Sequence, residues 1–432
     1  MGKKAALHNL GCKVNAYETE MMRQLLEDAG YEIVPFAPGA DIYVINTCTV
    51  TNIADRKSRQ MLHKARRMNP QAIVVATGCY AQIAGESIEK DDMVDIVLEN
   101  SKKSELIDAL RIFQNARNGV DNTVYGEYSA QKPLVGTGEH TRASIKVQDG
   151  CNQFCSYCII PYARGRVRSR SIDEVLTEVN SLAQNGCREV VLTGIHLSSY
   201  GSDNGSSLLS LIQAVHDRTK IARIRLGSLE PGIITEEFAK ALHDLPKVCP
   251  HFHLSLQSGC TSVLKRMNRR YTAEEYENKC EILRTVFEQP AITTDVIVGF
   301  PGETSEEFEE TEEFLKRLHL YETHIFKYSR RQGTRAAAMP GQISESEKAV
   351  RSNRLIQLGE QNRSLFESGY AGKSVESLFE EKIEINGKEY FTGYTKEYIR
   401  TAAPAEIDLS NQIVTGKLGQ LISPHVFFLE KD

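Results

Sequence analysis

Cys151, Cys155 and Cys158 stand at i, i+4 and i+7 in one short loop, Gly150-Cys151-Asn152-Gln153-Phe154-Cys155-Ser156-Tyr157-Cys158. Thiolates are soft ligands, so three of them converging on one point suit an iron-sulfur cluster or zinc. Structural zinc sites usually close with four protein ligands. With no fourth cysteine and no histidine nearby, the loop points to a cluster with one open iron, able to bind a substrate or cofactor. The remainder of the chain must supply the scaffold that presents it.

A chain of 432 residues exceeds one ordinary core, and about two to four domains are expected. Charged residues make up 25% and hydrophobic ones 41%, an ordinary globular composition. No run resembles a membrane span, and Met1-Gly2-Lys3-Lys4 leads into a short apolar strand rather than a cleavable signal, so a cytoplasmic protein without membrane partners is expected. In that setting the 10 cysteines read as metal ligands or core residues rather than disulfides. The net charge of -5 gives no global attraction to nucleic acid, so RNA binding has to rest on local patches.

Residues 1–130 alternate short apolar runs with amphipathic stretches. Strands are predicted at Ala5 to Leu10, Asp41 to Thr47 and Ala72 to Gly78, with helices between them; Asn15 followed by Glu18 resembles a capping box at the first helix. Cys12, Cys48 and Cys79 each follow a strand. Free cysteines are often buried as small hydrophobes, but core packing has no reason to repeat one topological position three times. In a parallel α/β sheet these positions emerge on one edge, where such folds hold ligands. A second three-cysteine site is therefore expected. Cys187, Cys249, Cys260 and Cys280 share no such placement and read as core residues.

Residues 131–143 carry Pro133, Gly136 and Gly138 and read as a linker. Beyond them, over 144–370, six apolar strand candidates alternate with helical patterns: Ser144 to Gln148, Glu189 to Thr193, Arg223 to Leu226, Phe252 to Leu256, Ile292 to Val298 and His324 to Tyr328. This is a βα series for a partial (β/α)6 barrel, with the cysteine loop on its carboxyl face. A charged helical stretch from about Ser344 to Tyr370 leads to a tail over 371–432 whose short apolar runs and Gly-containing turns read as a small β-barrel. The fold class is thus α/β: an N-terminal parallel sheet domain, a central barrel and a C-terminal β-barrel.

The match Cys-Asn-Gln-Phe-Cys-Ser-Tyr-Cys-Ile-Ile-Pro-Tyr-Ala-Arg-Gly-Arg from Cys151 to Arg166, after the first strand of a sixfold βα series, resembles the radical S-adenosylmethionine (SAM) enzymes. Together with Leu10-Gly11-Cys12-Lys13-Val14-Asn15, Asn46-Thr47-Cys48 and Thr77-Gly78-Cys79, it resembles the methylthiotransferases over nearly the whole chain. The Leu-Gly-Cys-Lys-Val-Asn form is most similar to the bacterial enzymes that modify threonylcarbamoyladenosine at tRNA position 37. Relatives acting on isopentenyladenosine, or on an aspartate of a ribosomal protein, differ around this cysteine and remain alternatives. An alternative of another class is a non-catalytic iron-sulfur RNA-binding protein.

The resemblance implies two 4Fe-4S clusters, a SAM-cleaving one on Cys151, Cys155 and Cys158 and an auxiliary, sulfur-delivering one on Cys12, Cys48 and Cys79. It implies SAM as cofactor and methyl source, tRNA as substrate, a sulfur source, and an electron donor such as flavodoxin or ferredoxin. No side-chain acid or base is called for, because the adenine carbon-2 hydrogen is not acidic and the cofactor carries the chemistry. The tail resembles the RNA-binding TRAM module, although from Gly369 onward it holds seven Lys or Arg against ten Asp or Glu; RNA binding there would need stacking aromatics such as Tyr394 or Tyr398, and a purely structural cap is the alternative.

Candidate SAM contacts follow the barrel strands: Gly194, Ser228, Glu230 and Gln257, with Arg270, Arg266 or Arg269 for the methionine carboxylate. Candidate RNA contacts are a helical stripe, Arg56, Arg59, His63 and Arg66, and the alternating Arg164, Arg166, Arg168 and Arg170, which an extended segment would point one way.

Overall fold

Five parallel strands, β1 (Lys4–Asn9), β2 (Glu32–Ile33), β3 (Ile42–Thr47), β4 (Ile73–Gly78) and β5 (Ile96–Leu98), form a sheet in the order β2-β1-β3-β4-β5. The computed structural model that shows this describes residues 3–118 and 141–431. All six positions of β3 and all six of β4 are buried, as required of strands covered on both faces. Helices α1 (Lys13–Asp28), α2 (Asn52–Met68), α3 (Cys79–Ala84), α4 (Glu86–Glu89) and α5 (Leu106–Arg117) supply the cover. Tyr43, Ile45, Val74 and Ala76 pack with Leu62 and Ala65 of α2 on one face. Ile42, Val44 and Val75 pack with Met22 and Leu26 of α1 and Leu106 and Leu110 of α5 on the other. The expected capping box is absent: α1 starts at Lys13 with Cys12 at the N-cap and no side-chain cap bond, because Asn15 and Glu18 are both buried and engaged elsewhere.

This sheet forms one compact unit with two distant pieces of chain, residues 149–168 and 329–337. The first piece carries the Cys151–Cys158 loop and a short helix, α6 (Ile160–Arg164). Of the expected linker, residues up to 140 lie outside those described, and the next strand already begins at Arg142.

The second unit holds the βα series. Its strands are β6 (Arg142–Asp149), β7 (Arg168–Ser169), β8 (Glu189–Gly194), β9 (Arg223–Leu226), β10 (His251–His253), β11 (Ala291–Val298) and β12 (Glu322–Lys327). They run in two stretches, β7-β6-β8-β9 and β10-β11-β12, joined by parallel bridges Ile224↔Val248 and Leu229↔Leu254. Helices α7 (Ile172–Gln184), α8 (Leu208–Arg218), α9 (Glu236–His243), α10 (Thr261–Arg266), α11 (Ala273–Val286) and α12 (Ser305–Leu318) alternate with these strands. Val147, Val190, Leu192, Ile224, Phe252, Leu254 and Val296 build a single core with Val175, Leu211, Leu242, Leu283 and Phe314 of the helices. Helix α12 starts at Ser305 after the N-cap Thr304, which forms a capping box with Glu307.

Helix α13 (Glu345–Ser368) leads to β13 (Ser374–Ile385), β14 (Lys388–Thr395), β15 (Arg400–Pro404), β16 (Ile413–Ser423) and β17 (Val426–Lys431), closed as a barrel in the order β13-β14-β15-β17-β16. This barrel plugs the inner face of the parallel wall. Arg223 donates from Nη1 to the Tyr394 carbonyl (3.0 Å) and from Nη2 to that of Glu376 (2.8 Å). Arg225, fully buried, chelates Glu189 (2.7 and 3.1 Å) and donates to the Lys396 carbonyl (2.8 Å). Tyr398, at φ 73° in the β14–β15 turn, stacks on Tyr394 (4.5 Å) and His251 (5.1 Å), with the Arg142 and Arg225 guanidiniums at 5.1 and 4.8 Å. Both tyrosines named as stacking candidates for RNA stand half-buried in this group of rings and guanidiniums.

Cys187, Cys249 and Cys280 are core residues as expected, their thiols pushed up by burial to about 11, about 12 and about 12. Cys260 is likewise buried and donates to Glu310 Oε2 at 2.9 Å. Among the described residues no helix is long and apolar enough to cross a membrane.

Arg225→Met leaves Glu189 buried beside fewer partners and removes the bonds to the tail, so it should cost about 3 kcal/mol or more. Chemical denaturation reads that loss, and limited proteolysis should release a fragment beginning near residue 370; unchanged stability would show that the plug does not depend on this pair.

Candidate functional site

Three cysteine-bearing turns meet at the carboxyl edge of the first sheet because β1, β3 and β4 are adjacent and in register, Asn9 opposite Asn46 and Thr47 opposite Gly78. Cys12 is exposed, Cys48 partly buried and Cys79 buried as the first residue of α3. Burial raises the Cys48 thiol, and the neighbouring Cys79 and Cys12 thiols raise it further. The residues flanking them in sequence lock the turns. Asn15 donates from Nδ2 to Asn46 Oδ1 (3.1 Å) and the Thr47 carbonyl (3.0 Å), and Asn46 returns a bond to the Asn15 carbonyl (2.9 Å). Thr47 Oγ1 donates to the Thr77 carbonyl and accepts from Ala81 N–H (3.1 Å). Gly78 sits at φ 93°, and a Cβ there would run into Asn46 Oδ1 and the Thr47 backbone; only glycine fits.

Arg164 ties this edge to the other cysteine loop. Its side chain has no exposed surface, and each of its five N–H donors has an acceptor: Nε on Cys79 Sγ (3.3 Å), Nη1 on Glu18 (2.8 Å) and Asp149 (3.1 Å), Nη2 on Asn15 Oδ1 (2.7 Å) and Glu18 (3.0 Å). Glu18 also pairs with buried Lys103. Burial works against the charge on Arg164, but Glu18, Cys79 and Asp149 outweigh it and hold the guanidinium well above its ordinary value. Burial raises the Cys79 thiol, while Arg164 and Lys103 pull it down. The net shift is upward, so the two cations offset only part of the burial.

The Cys151–Cys158 loop is shaped by its own backbone. Gly150 lies at φ 73° with the Arg166 carbonyl where a Cβ would be, Cys151 N–H donates to the Gly165 carbonyl (3.0 Å), and Gln153 N–H points at Cys151 Sγ (3.4 Å). Phe154 adopts φ 51°, and the Arg166 guanidinium covers its ring at 5.0 Å. Cys158 N–H closes the turn on the Cys155 carbonyl (3.0 Å). All three thiols keep partial exposure. Three soft donors without a fourth protein ligand fit a four-iron cluster that keeps one iron open. The distant segment 329–337 braces both sites: Arg331, buried, pairs with Asp55 (2.8 Å), Asn52 (2.7 Å) and Thr49 (2.7 Å) behind Cys48, while Ala336 N–H donates to the Ser156 carbonyl (2.8 Å).

In the second unit, the candidate SAM contacts follow the carboxyl ends of the strands. Glu230 accepts from Arg269 (3.0 Å) and pairs with His196 Nε2 (2.5 Å); burial opposes its charge, but these two partners outweigh it and lower its carboxyl. His196 N–H is held by the buried Gln148 side chain (2.8 Å), which also fills the space beside Gly194. Gln257 adopts φ 72° and its N–H donates to the Asp295 carbonyl (2.9 Å). Ser228 and Arg270 are exposed. Arg266 pairs bidentately with Glu307 on α12 (2.8 and 2.6 Å), so it is occupied within the scaffold.

Residues 145–315 match the radical SAM superfamily model, and residues 4–99 match the uncharacterized protein family UPF0004. The chain is 42% identical to a threonylcarbamoyladenosine tRNA methylthiotransferase, MtaB, of Bacillus subtilis, over 96% of this chain and 93% of that protein. It is 42% identical to the Aquifex aeolicus protein of the same name, over 90% and 95%. It is 34% identical to a tRNA-2-methylthio-N(6)-dimethylallyladenosine synthase of Acetivibrio thermocellus, over 91% and 84%. The chain belongs to the radical SAM methylthiotransferases. Its fold is also that of a solved radical SAM methyltransferase, TsrM of Kitasatospora setae, with TM-score 0.58 and 18% identity over 78% of this chain and 77% of that one. SAM and a 4Fe-4S cluster are therefore its cofactors.

For this methylthiotransferase the arginines divide. Arg164 was expected among the RNA contacts, and its burial excludes it: a side chain with all five donors satisfied internally has nothing to offer a phosphate. Arg66 is largely taken up by Asp95 (2.5 Å) and the Ala72 carbonyl (2.8 Å), and Arg170 by Glu178 (2.6 Å). Arg56, Arg59, Arg166 and Arg168 remain exposed, Arg59 with Tyr80 (3.3 Å) and Arg168 with nearby carbonyls (3.0 and 3.1 Å) as partners. Glu18, Lys103, Arg331 and His196 were not anticipated; polar residues inside amphipathic helix patterns, Glu18 above all, were the one available signal.

Arg164→Met should cost about 3 kcal/mol or more, since Glu18 stays buried with too little positive charge beside it. Arg166→Ala and Arg168→Ala should each stay within about 0.5 kcal/mol while weakening tRNA binding. Urea denaturation and a tRNA gel shift check both; an Arg164→Met protein as stable as the parent would contradict the buried assignment.

Proposed function

We propose that the protein converts N6-threonylcarbamoyladenosine at position 37 of tRNA to its 2-methylthio derivative. The observation that carries this is the 42% identity over almost the whole chain to relatives named for that nucleoside, against 34% for a relative named for dimethylallyladenosine. The Leu10-Gly11-Cys12-Lys13-Val14-Asn15 segment, in the form that resembles this subgroup, supports it.

In this reading Cys151, Cys155 and Cys158 hold the SAM-cleaving 4Fe-4S cluster, and Cys12, Cys48 and Cys79 hold an auxiliary one. When bound, these groups supply the radical that activates the adenine carbon and the sulfur that is inserted. The chain's own residues position and tune. Arg164 and Lys103 favour the thiolate of Cys79, and Asn15, Asn46 and Gly78 fix the three auxiliary turns. Gln148, His196, Glu230 and Arg269 offer a polar rim on the strand ends, with Gly194, Ser228, Gln257 and Arg270 beside it, for the charged and ribose groups of SAM. Arg56, Arg59, Arg166 and Arg168 contact tRNA phosphates. An electron donor such as a flavodoxin or ferredoxin, and a sulfur source, complete the reaction. The domains are taken as 1–130, 144–370 and 371–432, with a linker over 131–143.

Mass spectrometry of nucleosides in tRNA from a deletion strain should show loss of 2-methylthio-N6-threonylcarbamoyladenosine, accumulation of its unmodified precursor, and rescue by the intact gene. Loss of the dimethylallyl derivative instead would reassign the substrate, and unchanged tRNA would overturn the reading.

A further inference from the structure

Three metal-ligating side chains outside the cysteine sites converge on the wall of the second unit: His253 on β10, Asp295 on β11 and His324 on β12. One ligand atom of each lies within 4.8 Å of the other two. Parallel pairing brings them together. His253 stands opposite Thr293 and Asp295 opposite His324, and the two-residue strand period puts Thr293 and Asp295 on one face. That face is the one turned away from the helices, whose core takes Phe252, Leu254 and Val296 instead.

The first histidine is prepared as a ligand. His253 Nδ1 lies 2.9 Å from Thr293 Oγ1; with Nδ1–H donating to that hydroxyl, the ring is fixed and Nε2 carries the lone pair. Nε2 is shielded from solvent and has no hydrogen-bond partner; Asp295 Oδ2, at 3.5 Å, lies beyond bonding distance. A buried ring nitrogen left in this state is costly, and a cation between the two groups would satisfy both. His324 stacks on His253 with ring centroids 5.8 Å apart and an interplanar angle of 22°; being exposed, it can swing to close the site.

We propose that His253, Asp295 and His324 bind a zinc-class divalent cation. Two imidazoles and one carboxylate make a borderline donor set, suited to zinc and unlike the all-oxygen shells of magnesium and calcium. Asp295 with two neutral histidines leaves one negative charge to attract the ion. Three protein ligands leave a position open for an oxygen donor. The six cysteines discussed above take no part, so this site and the iron sites are separable by mutation.

The test uses the full chain, purified anaerobically with its iron-sulfur centres loaded, incubated with zinc beside a weak competing chelator, desalted and analysed for zinc and iron. The parent should retain about one zinc per chain, His253→Ala and His324→Ala should retain almost none, and iron should be the same in all three. Thr293→Val keeps every ligand and should weaken zinc affinity about tenfold or more through loss of the Nδ1 anchor. It also serves as the deciding variant if an alanine protein loses iron through misfolding. Equal zinc in parent and variants, or none in the parent, overturns the proposal.

Discussion

A single buried guanidinium, Arg164, holds the chemical half of this protein together. It leaves the helix that follows the Cys151–Cys158 loop and ends against Glu18, Asn15 and Cys79 of the first sheet, with no exposed surface of its own. Such an arrangement is expensive to build, since desolvation opposes every charge in it, and it persists only when all partners are present. It also explains why residues 149–168, far away in sequence, belong to the same compact unit as the first sheet. The loop proposed to cleave SAM and the turns proposed to hold the auxiliary cluster share one rigid frame.

The other unit solves a different problem. An open parallel wall has an inner face that must be closed somewhere, and the C-terminal barrel closes one end of it. Arg223 and Arg225 reach through to tail carbonyls, and Tyr398 stacks into the gap. The strand ends at Gln148, Gly194, Glu230 and Gln257 lie toward the opposite end of the strands. The barrel thereby acts as a structural floor whatever its outer surface does.

Periodicity exposed the architecture well. The runs in β3 and β4 are buried at every position because both faces are covered, and the ends of β3, β4, β8 and β11 were readable within a residue or two. The meeting of Cys12, Cys48 and Cys79 at one sheet edge was readable because thiols at repeated strand ends have no packing explanation. Tertiary partners were not readable. Asn15 and Glu18 have capping-box spacing, yet both turn inward to meet Arg164, and nothing local distinguishes the two outcomes. Arg164, Arg166, Arg168 and Arg170 alternate as an exposed strand would, yet α6 ends at Arg164 and buries it. The Tyr398 partners on its own chain, Arg142, Arg225 and His251, were equally unreadable, because nothing local to an aromatic in a turn names the distant group that covers it.

The most direct test of the paired-site arrangement is the iron content of anaerobically reconstituted protein, compared with triple Cys→Ala variants at 12, 48 and 79 and at 151, 155 and 158. Two four-iron clusters predict about eight irons per chain in the parent and about four in each variant. About four in the parent, unchanged by loss of Cys12, Cys48 and Cys79, would contradict a second cluster and leave Arg164 as a purely structural tie.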